Sequence, residues 1–147
     1  MNPQNKLEML LYRLQLIFIS LLGEVYKFLI DMKLLRPDKV SLNKVESEPN
    51  LIVSLTSYGR RVDKGYYTII SLLRQTYKPD AIILWLDKDN WDDSKLPKSI
   101  QDLKKKGLEV KYCIDLRSYK KLIPALLEYP KSIIVTCDDD IYYKKNM

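Results

Sequence analysis

Residues 132–143, with the sequence SIIVTCDDDIYY, decide the fold. Residues 133–136 are β-branched throughout, and a run that is continuous instead of alternating predicts a strand buried on both faces. Such strands belong to parallel sheets that helices cover on both sides. Three aspartates, residues 138–140, follow at the carboxyl end of this strand, where open α/β sheets bind their ligands.

The three aspartates predict a cation site. Adjacent carboxylates repel one another, so an arrangement that a cation can occupy is favoured. In an extended backbone the side chains at positions i and i+2 point the same way. We therefore expect Asp138 and Asp140 to face one ion and Asp139 to point away from it. One or two carboxylates together with substrate phosphates usually hold Mg²⁺ or Mn²⁺. A solvated acidic loop is the alternative interpretation.

The sequence before the aspartates alternates between strand-like and helical patterns, which predicts an α/β fold. Strands are expected at residues 51–56, 81–86 and 108–114, and over the run that precedes the aspartates. The third strand alternates in polarity, so we expect it to be half exposed and near a sheet edge. The order β-α-β-α-β-α-β implies three layers, with helices on both sides of a mostly parallel, Rossmann-like sheet.

Three helices are expected between the strands, over residues 63–77, 94–106 and 122–129. We expect Asp63 to be the N-cap of the first helix and Tyr77 to end its buried stripe. Pro97 fits the first turn of the second helix, and Gly107 ends that helix. Pro124 is expected in the first turn of the third helix, where a proline costs least.

Three stretches carry a resemblance to a known family. They are the aspartate triplet, IVSLTSYGRR at residues 52–61 and DLRSYKKLIPALLEYP at residues 115–130. The chain from residue 50 to about residue 143 resembles the donor-binding half of nucleotide-sugar-dependent glycosyltransferases of the GT-A fold. The resemblance is to a bacterial type that builds cell-surface polysaccharide or lipopolysaccharide. The triplet resembles the Asp-X-Asp motif of that family.

The resemblance implies transfer of a sugar from a nucleotide-diphosphate sugar to a glycan or lipid-linked acceptor. It implies that the first and fourth strands are neighbours. It implies Mn²⁺ or Mg²⁺ as the cofactor, held by Asp138 and Asp140, where the metal neutralises the diphosphate leaving group. The nucleotide-sugar contacts that it implies are Thr56, Ser57, Tyr58, Arg60, Asp87, Asp115, Arg117, Lys120, Lys121, Asp138 and Asp139.

Several of these residues have a second interpretation. The turn after the first strand carries an aromatic ring that can stack on a base and arginines that can pair with phosphates. The same turn is also compatible with a solvated surface loop. Asp87 is explained equally well as a loop carboxylate and as a contact to the base or ribose. Spacing alone does not separate the roles of Lys120 and Lys121.

The sequence given ends seven residues after Asp140. The family carries its acceptor site, and the catalytic base of its inverting members, further along the chain. We therefore expect the base to lie beyond residue 147 and residues 51–147 to be a truncated nucleotide-sugar-binding domain. The alternative function is a noncatalytic, membrane-associated module that binds a nucleotide or cation, or an inactive remnant.

Residues 1–36 are expected to be an apolar helical segment and residues 37–50 a linker. The longest uncharged run, residues 14–23, is ten residues long, which is too short for a bilayer that takes about 20. A helix on the membrane surface, a helix docked on the domain and a dimer helix are the alternatives. We favour peripheral membrane contact through residues 7–35, in a cytoplasmic protein at the inner face of the cell membrane.

Composition narrows the partners and the chemistry. The formal net charge is +6, and the basic residues are scattered. An anionic diphosphate explains them as well as a nucleic acid does, and plain solvation accounts for most of them, so we expect no nucleic-acid partner. The chain has no histidine, which removes the commonest general base and zinc ligand. Cys113 and Cys137 lack a CxxC partner and are expected to be small buried residues in a reducing cytoplasm.

Overall fold

The structure is a computed structural model that describes residues 3–32, 34, 35, 42 and 50–147, with side chains from residue 7 onward. It separates into two compact units, Met1–Arg36 and Pro37–Met147. The predicted linker, residues 37–50, lies outside the described residues except at residues 42 and 50.

The first unit contains the helix Pro3–Asp31 (α1), in the segment where the sequence predicted a helix. The side chains of residues 7–22 are all exposed. The stretch Leu7–Asp31 is long and apolar enough to cross a membrane. We expected no membrane span because the uncharged run is only ten residues long. That expectation is wrong, since the whole helix has the length and the apolar composition of a spanning helix. It counted only the longest uncharged run, whereas single charged residues interrupt the apolar stretch without ending it.

In the part of the second unit that the structure describes there are four strands, all parallel, which confirms the predicted α/β fold. The strands are Leu51–Thr56 (β1), Ala81–Asp87 (β2), Glu109–Cys113 (β3) and Ile133–Cys137 (β4). Their order across the sheet is β3-β2-β1-β4. β1 therefore pairs with β4, in a register that sets Val53 opposite Val135, and the first and fourth strands are neighbours as the resemblance implied.

Helices cover both faces of this sheet. They are Arg61–Leu73 (α2), Lys98–Lys104 (α3) and Ile123–Glu128 (α4), with a 3₁₀ helix at Arg117–Lys121 directly before α4. The chain steps from β1 to β2 to β3 in one direction, so right-handed crossovers place α2 and α3 on the same face. The connection to β4 runs the other way and places α4 on the opposite face.

The packing agrees with this arrangement. Ala125 of α4 is fully buried in one apolar cluster with Ile52 of β1 and with Ile83 and Trp85 of β2. β2 is central, and all seven of its residues are buried. Burying a large aliphatic side chain stabilises the folded state by about 1.5–3 kcal/mol. The buried side chains of the two middle strands therefore stabilise the sheet that positions the loops.

Two details of α2 differ from the sequence prediction. The helix begins at Arg61, so Asp63 is not its N-cap but lies in the first turn, where it accepts a hydrogen bond from Ser99 Oγ at 2.7 Å. Gly59 has a positive φ of 50°, which lets the chain reverse at once into the helix. Tyr77 lies beyond the end of α2 and is exposed, so it is not part of the buried stripe.

The other two helices agree with the prediction at Gly107 and Pro124 but not at Pro97. Gly107 has a φ of 115°, and Leu108 N–H donates to the carbonyl of Leu103 at 3.1 Å, the bond of a glycine-terminated helix. Pro97 is the N-cap of α3 and precedes the first turn in which it was expected. Pro124 lies in the first turn of α4, as predicted.

The two edges of the sheet differ from expectation in burial. β3 is an edge strand, as predicted, but all five of its residues are half-buried, so neither face is clearly exposed. β4 is the other edge, and the expectation that it is buried on both faces is wrong. Ile133 is 53% exposed, Thr136 is exposed, and only Cys137 is buried. A continuous apolar run predicts a strand but does not determine how many neighbours it has.

The two cysteines are free thiols. Cys137 is buried as expected, whereas Cys113 is only half-buried because it ends the edge strand β3. Burial raises the pKa of both thiols, which keeps them protonated and unreactive near neutral pH.

Candidate functional site

The strand order creates a crevice between β1 and β4. The connection that leaves β1 runs over one face of the sheet, and the connection that enters β4 runs over the other face. Open α/β sheets bind ligands at such a switch point, outside the carboxyl ends of the strands. A cleft of about 930 Å³ opens there, a size that suits a small-molecule ligand.

The cleft gathers residues from the carboxyl ends of all four strands. The predicted site residues that line it are Thr56, Ser57, Tyr58, Asp87, Asp115, Arg117, Lys120, Lys121, Asp138, Asp139 and Asp140. Arg60 is the exception, because its exposed side chain does not line the cleft. The lining residues that the sequence predictions missed are Gly59, Arg61, Asn90, Trp91 and Ser118.

Asp139 ties the acidic turn to the loop after β1. Its side chain is buried, and one carboxylate oxygen accepts a hydrogen bond from the Ser57 hydroxyl. The other oxygen accepts from Arg61 Nη2 at 2.5 Å, and the main-chain carbonyl accepts from Thr68 Oγ1 at 2.9 Å. Asp139 therefore points into the protein, where three other residues fix it.

Arg61 joins the two sides of the cleft. Besides Asp139, its Nη2 contacts Asp140 Oδ2 at 2.8 Å. The guanidinium also lies over the ring of Tyr58, 5.3 Å from the centroid. A hydrogen bond with Tyr58, and then the charges of the two carboxylates, raise the pKa of Arg61. One permanently charged group thus faces two neighbouring aspartates.

Asp138 is paired with a different cation. Its carboxylate accepts a hydrogen bond from Lys121 Nζ, and its main-chain N–H donates to the Tyr143 hydroxyl at 2.9 Å. The main chain of Lys121 is also held, because its carbonyl accepts from Ser54 Oγ at 2.6 Å. Asp138 and Asp140 therefore contact cations from two separate elements, the 3₁₀ helix and α2.

The backbone at the aspartates is not extended, which was the premise for placing alternate side chains on one side. β4 ends at Cys137, and residues 139 and 140 form a turn. Ion pairs and hydrogen bonds, and not strand alternation, therefore set the side-chain directions. Asp138 and Asp140 still line the cleft, and their side chains are 58% and 65% exposed. Their oxygens are accessible to a ligand.

The 3₁₀ helix forms a basic wall of the cleft. Lys120 is buried, and its Nζ donates to Asp115 Oδ1 at 2.5 Å. The same oxygen accepts from the main-chain N–H of Arg117 at 2.9 Å. The hydrogen bond from Lys120, and then that from Arg117, lower the pKa of Asp115. The structure thus separates the two lysines: Lys120 pairs with Asp115, and Lys121 pairs with Asp138.

Asp87 organises the loop after β2. Its buried carboxylate accepts from the main-chain N–H groups of Asp89 at 3.1 Å and Asn90 at 2.9 Å. The side-chain amide of Asn90 donates to both carboxylate oxygens, at 3.0 and 3.2 Å. The main-chain carbonyl accepts from Trp91 N–H at 3.0 Å. Asp87 therefore acts as a loop carboxylate, and it also positions Asn90 and Trp91 in the wall of the cleft.

Residues 141–147 hold the acidic turn from behind. Tyr143 N–H donates to Ser71 Oγ at 3.1 Å, and Gln75 Nε2 donates to the carbonyl of Lys144 at 2.7 Å. Both acceptor and donor side chains lie on or just after α2, the helix that begins in the cleft. The acidic turn is therefore fixed between β4 and α2.

Asp138 and Asp140 provide oxygen donors of the type that Mg²⁺ and Mn²⁺ prefer. Within the described residues, no three Asp, Glu, Cys or His side chains are grouped so as to hold a metal ion. In number and chemistry, the two carboxylates match a divalent cation whose remaining ligands come from phosphate oxygens and water. They do not fit a site in which the protein supplies the whole coordination shell. Binding also requires the cation to displace Lys121 and Arg61 from these oxygens.

The cleft therefore presents carboxylates and cations side by side, which suits a ligand that brings charges of both signs. A scan against models of known protein families gave no match to this chain, and a search of curated proteins gave no significant relative.

Proposed function

We propose that the second unit binds a nucleotide-diphosphate sugar in the switch-point cleft, as the donor-binding half of a GT-A glycosyltransferase that acts in cell-surface glycan synthesis. The observation that carries the proposal is the meeting of the acidic turn with Arg61 and Lys121 at the switch point. The sequence resemblance at residues 52–61 and 115–130 supports the sugar-transfer class.

The diphosphate is assigned to the part of the cleft between β1 and β4. Arg61 and Lys121 reach the cleft from the two sides of the acidic turn. Charge-assisted hydrogen bonds from such groups to phosphate oxygens are roughly twice as strong as neutral ones. Asp138 and Asp140 would hold the divalent cation, Mn²⁺ or Mg²⁺, beside the same phosphates.

The nucleoside is assigned to the part of the cleft beyond the ends of β2 and β3. Tyr58 and Trp91 line the cleft and offer aromatic surfaces on which a base can stack. Asp87 fixes the loop that carries Trp91, and Asp115 and Arg117 supply polar groups from the opposite wall. The resemblance assigns nucleotide contacts to Tyr58, Asp87, Asp115 and Arg117, whereas Trp91 comes from the structure alone.

The chemistry follows from charge. When bound, a divalent cation neutralises the negative charge that develops on the diphosphate leaving group. Arg61 and Lys121 add positive charge at the same place. We assign no described residue as the base that activates the acceptor, because the cleft carboxylates are held by cations or amide groups. A general base needs a free carboxylate or one with a raised pKa.

The second candidate function is a noncatalytic module that binds a nucleotide or cation at a membrane. The pairing of the cleft carboxylates favours it, since the described residues supply binding groups without a base. In both candidates α1 would provide peripheral contact with the inner face of the cell membrane. Transfer to a glycan or lipid-linked acceptor, or hydrolysis of the donor, separates an enzyme from a binding module.

Titration calorimetry on the full chain in mild detergent tests the proposal. UDP, GDP and dTDP are titrated with and without Mn²⁺, and we expect one of them to bind far more tightly with the metal. Asp140→Asn is expected to lose most of the gain in nucleotide affinity that Mn²⁺ provides. Absence of binding at millimolar nucleotide, in a sample with a cooperative melting transition, contradicts the proposal.

A further inference from the structure

We propose that Lys121 is a stand-in cation, whose ammonium holds Asp138 in the free protein and is exchanged for the divalent cation when the ligand binds. The released ammonium then pairs with the diphosphate, so metal and nucleotide bind as a coupled pair. This inference rests on the proposed function and adds to it the way in which the site is loaded.

The position of Lys121 suits this exchange. Its main chain is fixed through the hydrogen bond from Ser54 Oγ, at 2.6 Å, whereas its charged end lies in the cleft on a flexible four-carbon stem. Its partner Asp138 is likewise fixed through its main-chain N–H, which donates to Tyr143. The ion pair between the two side chains is therefore the part of this contact that can open without moving the backbone.

Arg61 differs from Lys121 in this respect. The buried carboxylate of Asp139 holds it at 2.5 Å, and its guanidinium lies over Tyr58. If Asp140 turns to a metal ion, Arg61 keeps Asp139 as its partner and stays in place. Lys121 pairs with a carboxylate that is itself a metal ligand in the proposal, so its ammonium must find another anion.

Charge then couples the two ligands. A divalent cation that arrives alone displaces Lys121 from Asp138 and leaves an unpaired ammonium near the ion. A diphosphate that arrives alone meets the carboxylates of Asp138 and Asp140. When both are present, the metal contacts the carboxylates, Lys121 contacts the phosphates, and neither a carboxylate nor the ammonium is left unpaired. Coupling between two ligands is typically about 5-fold to 150-fold in affinity, and we expect this range here.

Lys121→Met tests the exchange with the metal alone. The variant keeps the length of the stem and removes the competing charge. Lys131→Met is the matched control, because Lys131 is exposed in the turn before β4 and does not line the cleft. Free Mn²⁺ is measured by electron paramagnetic resonance during titration of each full-length protein, without nucleotide. We expect Lys121→Met to bind Mn²⁺ at least about fivefold more tightly than the parent and the control.

The nucleotide arm uses the nucleoside diphosphate that binds best, with and without Mn²⁺. In Lys121→Met we expect the gain that each ligand gives the other to be smaller than in the parent and the control. The part of the gain that comes from direct contact between the metal and the phosphates remains. Melting temperatures of all three proteins establish that the variants are folded.

The outcomes separate this inference from the proposed function. Equal Mn²⁺ affinity in the Lys121 and Lys131 variants, or no Mn²⁺ binding by any of them at millimolar metal, overturns the stand-in role. Independent binding of Mn²⁺ and nucleotide to the parent also overturns it, and leaves only the nucleotide-binding part of the proposed function. Metal-dependent nucleotide binding by the parent, with equal Mn²⁺ affinity in the two variants, overturns the stand-in role alone. Tighter Mn²⁺ binding by Lys121→Met in a protein that binds no nucleotide supports the stand-in role and contradicts the proposed function.

Discussion

The Ser57 hydroxyl donates a hydrogen bond to the carboxylate of Asp139, 82 residues further along the chain. The bond connects the loop after the first strand of the sheet to the turn after the last one. Both side chains are buried, so the connection is shielded from water. It fixes the distance between the two loops that form the switch-point cleft.

Asp139→Asn should therefore mainly reduce stability, and Asp140→Asn should mainly reduce metal-dependent nucleotide binding. Asp139 is buried and accepts from Ser57 and Arg61, so its replacement should lower the free energy of unfolding by about 1–3 kcal/mol. Asp140 is exposed and its ion pair with Arg61 should contribute less than about 1 kcal/mol. Urea denaturation and metal-dependent nucleotide binding measure the two effects. Equal loss of metal-dependent binding in two fully folded variants contradicts the assignment.

Gly59→Ala and Gly65→Ala should change stability in opposite directions. Gly59 has a φ of 50°, so a side chain there is strained although no atom lies within 4 Å of the added Cβ. We expect a loss of about 1 kcal/mol. Gly65 lies inside α2, and an added Cβ meets the Asp139 Cβ at 3.9 Å, an ordinary contact. Alanine there should stabilise the helix by about 0.5–1 kcal/mol. Thermal unfolding of both variants measures the two changes in stability. Changes in the same direction would contradict the backbone conformation assigned to one of the two glycines.

The ion pair of Asp115 with Lys120 should make stability depend on acid pH. The pKa of Asp115 is lowered by Lys120, so the native state favours the charged carboxylate more than the unfolded chain does. Its contribution is present above the unfolded pKa, near 3.8, and is lost as the pH falls through the lower native pKa.

Asp115→Asn should therefore lower the melting temperature at pH 7 and make no difference at a pH below the native pKa. Asp102→Asn is the control, because Asp102 is exposed on α3 and its nearest lysine contact is 3.4 Å. An Asp115 variant whose deficit stays constant from pH 7 to the acid limit would show that the ion pair is not the cause.

The exposed apolar surface of α1 should bind lipid. The full chain is expected to sediment with liposomes, and more with anionic lipid, because Lys6, Arg13, Lys27 and Lys33 are distributed along the segment. Deletion of residues 1–36 should release the second unit into the soluble fraction with its melting temperature unchanged. Replacement of Ile17 and Leu21 by Asn in the full chain should weaken sedimentation without touching the second unit. A fall in melting temperature on deletion, in a chain that does not bind lipid, would instead indicate docking of the helix.

The fold was predictable because the elements that form the core show the apolar pattern of a strand or a helix in their sequence. Residues 81–86 form a central strand, and the apolar run before the aspartates forms β4, so the acidic turn lies at the carboxyl edge as expected. Exposure was not predictable for β4, because burial of its second face depends on how many neighbours the strand has.

The loops that form the cleft were predictable from the sequence, but the pairing of the charged side chains within it was not. Arg60 and Arg61 are indistinguishable in the sequence, and the positive φ of Gly59 decides that Arg61 starts α2 and enters the cleft. Lys120 and Lys121 are also adjacent, and the 3₁₀ helix turns one inward to Asp115 and the other to Asp138. The spacing of Asp87 and Asn90 is typical of a turn that a carboxylate caps. This signal would have added the loop with Trp91 to the predicted site.

The strand order also has a consequence for the time course of folding. Of the four described strands, β1 leaves the ribosome first and β4 last, yet the two are neighbours in the sheet. The acidic turn therefore meets Arg61 only after the rest of the sheet has been synthesised, and closure of such a long loop is slow relative to local helix formation. If the second unit binds a nucleotide as proposed, affinity for it during refolding should appear only when β4 pairs with β1.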